Sequence, residues 1–203
     1  MTKIDFKKEF RHLYSPPIGI FSIVDVPAMN FLKVDGVGYP VGNPLYEQAL
    51  ETLYGMSYGL KFASKAQGMD YVVPPLEGLW WMEDMNEFSM DRKDEWEWTM
   101  MIMQPEWVTR NMVDGVIVDI TQKKDLPALE KLRFEIYHEG LSVQTFYIGP
   151  YSDEGPTIAS MHAHIETEEY LLRGKHHEIY LNDARKTAPE KLKTVIRQPI
   201  KRA

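Results

Sequence analysis

The chain has 203 residues, enough for one large domain or two small half-domains with a real hydrophobic core. Hydrophobic residues make up 44% of it and charged residues 26%, the proportions of an ordinary globular protein. The formal net charge of -7 argues against nucleic acid as a partner, because binding to phosphates needs a basic surface.

Composition also restricts the cellular compartment and the kinds of functional site that are possible. The chain has no cysteine, which excludes disulfides, thiol nucleophiles and thiolate metal sites. Charges or prolines interrupt every apolar run well before the roughly 20 residues that a transmembrane helix needs. Residues 1–9 lack the apolar segment of a secretion signal. We therefore expect a cytoplasmic protein with no membrane contact.

The first half of the chain predicts an N-terminal extension, residues 1–26, followed by a strand-helix-strand-strand module, residues 27–105. The clearest element is the helix, because Asn43 is a good cap residue and Pro44 is favoured at the first helical position. The expected elements of this module are strand 29–34, helix 44–67, an irregular strand 70–82, a polar loop 83–95 and strand 96–103.

The second half predicts a helical connector, residues 106–133, and a second module, residues 134–200. Its expected elements are strand 141–148, a helix that runs on to Gly174, a strand centred on Glu178 and a last strand 193–199. The same element order thus occurs twice, and residues 101–105 resemble residues 195–199 at the end of each module. We predict an α+β fold built by tandem duplication, with antiparallel sheets joined around a central ligand groove.

The short strand within residues 174–183 carries the most unusual polar residues. Alternation places His176, Glu178 and Tyr180 on one face of this strand. We expect the other face, which begins at His177, to belong to the core. A carboxylate flanked by an imidazole and a phenol is unusual for a merely solvated face, so Glu178 is the first candidate for chemistry.

The histidines do not predict a metal site. His162 and His164 are two residues apart on a helix, about 200° around its axis, so they point in different directions. His176 and His177 lie on opposite faces of a strand. The chain also lacks the Gly-x-Ser-x-Gly elbow of a serine nucleophile. We expect neither a metal nor a cofactor.

Several longer stretches resemble a known family. The C-terminal residues 174–183, 189–194 and 196–199 resemble the signature of GyrI-like small-molecule-binding proteins. Residues 71–81 and 148–151 resemble the stand-alone branch of that family. The resemblance covers nearly all of residues 14–200.

This resemblance implies a fold of two strand-helix-strand-strand modules that binds flat, aromatic and often cationic xenobiotics. It also implies a buried glutamate facing the ligand, and Glu178 matches that residue. The stand-alone branch includes cyclopropanoid cyclopropyl hydrolases, which open the strained ring of DNA-alkylating compounds inside an aromatic cage. Because no basic helix-turn-helix segment is present, the DNA-binding role of the regulatory relatives is not expected here.

In such a hydrolysis Glu178 would orient or deprotonate the attacking water, and Tyr147 or Tyr180 would donate to the carbonyl oxygen. We expect burial to raise the pKa of Glu178 towards neutrality. The predicted cage consists of Tyr54, Tyr58, Trp80, Trp98, Met101, Tyr147, His176 and Tyr180. Trp81 is an alternative to Trp80, and only one of Trp98 and Met101 can face the ligand if their strand is regular.

Three functions remain open on the sequence alone. The first is an enzyme that detoxifies cyclopropane-containing compounds by hydrolysis. The second is a non-catalytic protein that binds or sequesters drugs, and the third is a protein-interaction module. The sequence leaves the physiological ligand and the oligomeric state open, with a homodimer as one option.

Overall fold

The computed structural model describes residues 3–83 and 90–203. It is a mixed fold of helices and antiparallel strands, which confirms the predicted class at that level. The described residues form two compact units: unit 1 with residues 3–6, 29–74, 78–83 and 90–137, and unit 2 with residues 7–28, 75–77 and 138–203. None of the helices in the described ranges is long and apolar enough to cross a bilayer.

The helices are α1 (Phe6–Glu9), α2 (Arg11–Tyr14), α3 (Pro44–Ala66), α4 (Arg110–Thr121) and α5 (Gly155–Thr167). The strands are β1 (Ser22–Val37), β2 (Leu76–Trp81), β3 (Glu97–Gln104), β4 (Arg133–Ile148), β5 (Tyr170–Leu172), β6 (His176–Tyr180) and β7 (Lys193–Arg202). Short 3-10 helices cover Met90–Glu95, Leu129–Lys131, Tyr151–Asp153 and Pro189–Lys191.

Unit 1 is organised around β3, which pairs with β1 on one edge and β2 on the other. The antiparallel register with β1 runs from Asn30 opposite Gln104 to Val37 opposite Glu97. Helix α3 packs against β3 and against α4. Its buried apolar positions are Ala49, Leu53, Met56 and Leu60, the helical spacing that the sequence predicts.

The start of α3 confirms the predicted cap. The side chain of Asn43 accepts a hydrogen bond from the backbone N–H of Leu45 at 3.0 Å, and Pro44 occupies the first turn. The cap satisfies one of the N–H groups that a helix start leaves without a partner.

Unit 2 is organised around β7, which pairs in antiparallel fashion with β4, β5 and β6. Helix α5 closes its apolar core, whose fully buried members are Val143, Met161, Ile165, Ile196 and Ile200. The pairing of β6 with β7 sets His177 opposite Arg197 and Glu178 opposite Ile196. This register matters for the site, because directly opposed residues point to the same side of a sheet.

One predicted helix is too long. The sequence pattern carries the last helix to Gly174, but α5 ends at Thr167 and Tyr170–Leu172 forms β5 on the end of β7. The cause is local, since Glu169 adopts a left-handed conformation with φ of 60° and stops the helix. Strands β1 and β4 are each longer than predicted, and residues 84–89 of the predicted loop lie outside the described residues.

Each unit contains a long strand, a helix and then further strands. In unit 1 the order is β1 from residue 29, α3, β2 from residue 78, β3 and α4, and from residue 138 unit 2 has β4, α5, β5, β6 and β7. The first strand pairs with the last in both, as β1 with β3 and β4 with β7. The common order is compatible with duplication, and the duplication itself stays a prediction.

Candidate functional site

The alternation predicted for β6 is confirmed by direct contacts among its side chains. His176 Nε2 lies 3.1 Å from Glu178 Oε1, and the Tyr180 hydroxyl donates to Glu178 Oε2 at 2.8 Å. Both carboxylate oxygens of Glu178 are therefore held by neighbours on the same face. The ring of Tyr151 packs edge-on against that of Tyr180, with centroids 5.4 Å apart.

The ionisation of Glu178 differs from the prediction. Burial acts to raise its pKa, but hydrogen bonds and charge from His176, together with Tyr180 and Glu154, lower it below the usual value. The expectation of a pKa shifted towards neutrality is thus wrong in direction. Glu178 is a carboxylate at neutral pH because its neighbours stabilise the charged form more than burial opposes it.

A second carboxyl group beside Glu178 escaped the sequence analysis. Glu154 immediately precedes α5, and only 2% of it is exposed. Burial and the negative charge of Glu178 raise the pKa of Glu154 to about 10. The pair therefore combines one ionised and one neutral carboxyl group, the arrangement by which enzymes separate acid from base roles.

Tyr147 lies near this pair. Burial raises the pKa of its phenol, and the charges of Glu154 and Asp153 add to that effect. The Tyr147 hydroxyl donates to the carbonyl of Pro150 at 3.1 Å. Its ring also packs over Gly149, where any Cβ would come within 2.5 Å of the hydroxyl oxygen. Close approach of this phenol to the backbone thus requires glycine.

Four buried polar atoms in this part of unit 2 have no hydrogen-bond partner among the described residues. They are His176 Nδ1, Glu154 Oε1, Thr194 Oγ1 and His162 Nε2. Leaving a buried donor or acceptor unsatisfied costs about 1–3 kcal/mol, so such atoms need a partner such as water or a ligand. We call Glu178, Glu154, His176, Tyr180 and Thr194 the carboxyl cluster.

The opposite face of β6 carries charge where the sequence predicts core. His177 Nδ1 lies 2.8 Å from Glu139 Oε1, and His177 Nε2 lies 3.0 Å from Glu77 Oε2. Arg197 Nη1 donates to Glu139 Oε2 at 3.0 Å. All four side chains are at most 2% exposed. This face is buried as expected, and Ile179 on it is fully buried, but at His177 it joins two bases and two acids.

Further hydrogen bonds complete this buried network. The Tyr14 hydroxyl donates to Glu77 Oε1 at 3.1 Å, and Arg197 Nε donates to Gln144 Oε1 at 3.0 Å. Arg197 Nη2 donates to the carbonyl of Leu13 at 2.7 Å. The network therefore ties β6 to β4, β7, α2 and the start of β2, all within unit 2.

The ionisation of the network follows from its pairing. Burial alone would lower the pKa of His177, but Glu139 and Glu77 raise it to about 9. Burial alone would raise the pKa of Glu139, but His177 and Arg197 lower it to about 2. We infer that the network holds β6 in place and thereby fixes Glu178 on the other face.

The remaining predicted cage residues belong to unit 1. Trp80 and Trp98 both contact Tyr46, at ring-centroid distances of 6.5 Å and 5.4 Å. Trp98 is fully buried, and its indole N–H donates to the carbonyl of Gly38 at 3.1 Å. Its ring lies over Gly36, where a Cβ would come within 2.2 Å of it. Trp98 is thus part of the unit 1 core.

The other unit 1 candidates differ in exposure. Met101 is fully buried, whereas Tyr58 is 50% exposed. Tyr54 is half-buried. Trp81, the alternative to Trp80, is also half-buried, while Trp80 is buried. Contact of these side chains with a ligand stays a prediction.

Comparison with known proteins agrees with the resemblance seen in the sequence. The model of the GyrI-like small molecule binding domain matches residues 21–201. An uncharacterized conserved protein from Listeria innocua is 40% identical, over 98% of this chain and 100% of that chain, with a TM-score of 0.90. A hydrolase from Listeria innocua is 39% identical with the same coverage and a TM-score of 0.88.

A more distant structure shares the fold alone. The C-terminal domain of EcmrR is 11% identical, over 91% of this chain and 98% of that chain, with a TM-score of 0.58. A search of curated proteins found no match. Because the family model spans most of the sequence, the chain belongs to the GyrI-like family of small-molecule-binding domains.

Proposed function

We propose that this protein binds planar hydrophobic or aromatic xenobiotics at the carboxyl cluster and hydrolyses cyclopropane-containing, DNA-alkylating compounds by opening the ring. The observation that carries the proposal is the Glu178 carboxylate, held at 3.1 Å by His176 and at 2.8 Å by Tyr180. Around it lie buried polar atoms without protein partners in the described residues, which polar groups of a substrate and a water could satisfy.

The relatives support hydrolysis as the reaction class. Two structures from Listeria innocua that are 39% and 38% identical to this chain are described as hydrolases. Both alignments cover 98% of this chain. No substrate is known from these two relatives, so the proposal of a cyclopropane substrate rests on the resemblance to the stand-alone branch of the family.

The proposed reaction adds one water to a cyclopropane that is conjugated to a dienone. Glu178 takes a proton from the water, and the water oxygen forms a bond to a ring carbon. The ring carbon–carbon bond breaks, and its electron pair moves through the dienone to the carbonyl oxygen. That oxygen gains a proton from Tyr147, which turns the dienone into a phenol, and the proton that Glu178 took from the water restores Tyr147 by way of solvent. A positioned base contributes roughly 100- to 10,000-fold to such a step.

Three tyrosines, one in the carboxyl cluster and two outside it, have different roles in the proposal. Tyr180 already donates to Glu178, so it holds the base in place. Tyr147 donates to a backbone carbonyl and is the candidate donor to the substrate oxygen. The exposed ring of Tyr151 adds a flat surface next to Tyr180 for a planar ligand.

A non-catalytic drug-binding or sequestering protein is the second candidate. It is favoured by the family description itself, which specifies small-molecule binding and no reaction. In that case the Glu178 carboxylate would attract cationic planar ligands without chemistry. Cytoplasmic location, the absence of nucleic acid among the partners and a homodimer stay predictions.

The test separates the two candidates with the full chain. Purified protein is mixed with a cyclopropane-containing alkylator, and the product is followed by chromatography and mass spectrometry as a gain of one water. We expect turnover by the wild type, a loss of roughly 100-fold or more in Glu178→Gln, and no loss in Glu190→Gln, a change of an exposed carboxylate. Binding of planar dyes without any turnover would instead support the non-catalytic candidate.

A further inference from the structure

The inference concerns the imidazole of His176, on the face of β6 that carries Glu178. Nε2 of this ring lies 3.1 Å from Glu178 Oε1, whereas Nδ1 is buried and has no hydrogen-bond partner among the described residues. The whole residue is only 5% exposed, so bulk solvent does not replace the missing partner. One ring nitrogen is therefore engaged and the other is not.

The contact with Glu178 decides which nitrogen carries the ring proton. Both carboxyl oxygens of Glu178 are acceptors, since the Tyr180 hydroxyl donates to Oε2 and Oε1 faces the imidazole. A neutral imidazole has one donor and one acceptor nitrogen, and the hydrogen bond of one nitrogen sets the role of the other. Nε2 of His176 thus donates to Glu178, and Nδ1 keeps its lone pair as a buried acceptor.

The neighbouring position on β7 does not supply the missing donor. The antiparallel register of β6 with β7 continues past Arg197 and places Gln198 beside His176. The amide nitrogen of Gln198 already donates to the carbonyl of Arg173 at 2.9 Å and to that of Pro199 at 3.1 Å. An amide nitrogen carries two hydrogens, so Gln198 has no donor left for Nδ1.

Exposure falls along this face of β6 towards His176. The Glu178 side chain is 15% exposed and the His176 side chain 6%. At the other end of the strand, Tyr180 is half-buried and packs against the exposed ring of Tyr151. Nδ1 of His176 therefore belongs to the more buried end of the face, where an unpaired polar atom is most costly.

We propose that Nδ1 of His176 accepts a hydrogen bond from the ligand, so that the site selects planar aromatic compounds with a neutral O–H or N–H group at one edge. His176 is thus a specificity-determining residue, and this role rests on the proposed binding of planar aromatic ligands at the carboxyl cluster. A compound of similar shape without the donor leaves Nδ1 unpaired and binds less tightly.

Equilibrium binding to the full chain, followed by ligand fluorescence, compares carbazole with N-methylcarbazole. Both are planar and aromatic, but only carbazole has an N–H donor, and it lies at the edge of the ring system. We expect the wild type to bind carbazole roughly 5- to 150-fold more tightly, the effect of leaving one buried acceptor unpaired. Equal affinities would overturn the inference, because Nδ1 would then be satisfied by water or carry the proton itself.

Two substitutions assign the preference to one ring nitrogen. Glutamine reaches the position of Nε2 and keeps a donor for Glu178 but has no group at Nδ1, so His176→Gln should bind the two compounds about equally. Asparagine places its amide oxygen at the position of Nδ1, so His176→Asn should keep the preference. The exposed His138→Gln is the matched control and should behave as the wild type. A preference that persists in His176→Gln would mean selection by size alone and would contradict the proposal.

Nitrogen NMR of the histidine-labelled full chain tests the tautomer without any ligand, because protonated and bare ring nitrogens give separate signals. We expect a proton on Nε2 and a lone pair on Nδ1, with the signals assigned by their loss in His176→Gln. A proton on Nδ1 would overturn the inference even if the variants fail to fold. Binding of neither carbazole by the wild type would contradict the proposed function and the selection with it, whereas equal binding contradicts the selection alone.

Discussion

His177 and Glu178 are adjacent in β6, yet their side chains belong to two separate charged clusters. His177 lies between Glu77 and Glu139 in a closed, buried network, at 3.0 Å and 2.8 Å. Glu178 lies on the opposite face with His176 and Tyr180, where some buried polar atoms have no partner in the described part of the chain. The charged groups around His177 satisfy one another's hydrogen bonds, which is typical of a structural network. The cluster around Glu178 has unsatisfied polar atoms, which is typical of a ligand-binding site.

Removal of Arg197 should destabilise the protein strongly. Arg197 pairs with Glu139 and donates to Gln144 and the Leu13 carbonyl inside unit 2. Breaking a buried ion pair by removing one partner costs about 3–5 kcal/mol, and we expect that loss in Arg197→Gln by chemical denaturation. The matched control is Arg185→Gln, which removes an exposed pair with Asp183 and should cost at most about 1 kcal/mol. Equal losses in the two variants would show that the network adds nothing.

Glu154 should make the protein less stable as pH rises. Its pKa is raised to about 10 in the folded state from an ordinary value of 4.5, so its contribution is complete below about pH 4.5 and is lost as pH rises to about 10. Each such group changes the free energy of unfolding by at most about 1.4 kcal/mol per pH unit. Denaturation series from pH 5 to 9 should show a flatter decline in Glu154→Gln than in the wild type. Parallel curves would indicate that Glu154 titrates normally.

His177 should also lower the stability of the protein as pH rises, over a narrower pH range than Glu154. Its pKa is raised to about 9 from 6.5, so the stability it provides is complete below about pH 6.5 and is lost as pH rises through 9. The Glu154→Gln background isolates this effect, because Glu154 no longer titrates there. In that background we expect the free energy of unfolding to stay level up to about pH 6.5 and then to fall. Stability that is constant up to pH 9 would mean that His177 gains no charge from the network.

The packing of Trp98 over Gly36 should leave no room for a side chain at position 36. A Cβ at Gly36 would come within 2.2 Å of the indole, which is fully buried and cannot move aside without repacking the unit 1 core. Gly36→Ala should therefore cost about 1–3 kcal/mol, the usual penalty of overpacking. Gly115→Ala is the control, because nothing lies within 4 Å of its Cβ position. Thermal denaturation of both variants measures the difference, and an unchanged Gly36→Ala would contradict the packing.

Sequence patterns correctly predicted the features of the fold that depend on interactions between neighbouring residues. The cap at Asn43, the apolar spacing of α3 and the alternation in β6 each depend on residues close together in the sequence. The predicted end of α5 was wrong because the apolar spacing continues to Leu172, whereas the backbone at Glu169 breaks the helix. Spacing alone does not reveal a left-handed residue that is not glycine.

The candidate site was likewise predicted only where its residues are close together in the sequence. Glu178, His176 and Tyr180 could be grouped from alternation in one short strand. Glu154 could not, because a glutamate just before a Gly-Pro helix start looks like an exposed polar residue. Its burial comes from strands that are distant in sequence. No local rule connects residue 154 with residues 178 and 194.

The buried network was also beyond local reasoning, although its signal was present. Glu77, His177 and Arg197 lie in the stretches that carry the family resemblance, residues 71–81, 174–183 and 196–199. Three charged residues in separate strands are costly to bury unless they pair. That cost was a reason to expect them to meet. Glu139 lies outside those stretches and could be found only from the structure.

The central claim is that the Glu178 carboxylate performs chemistry on a bound substrate, and one comparison tests it most directly. Wild type and Glu178→Gln are compared for binding of a cyclopropane-containing alkylator and for its conversion to the hydrated, ring-opened product. Because glutamine keeps the size of the side chain and one acceptor oxygen but removes the ionisable group, we predict retained binding with turnover reduced roughly 100-fold or more. Wild-type turnover in Glu178→Gln would contradict the account.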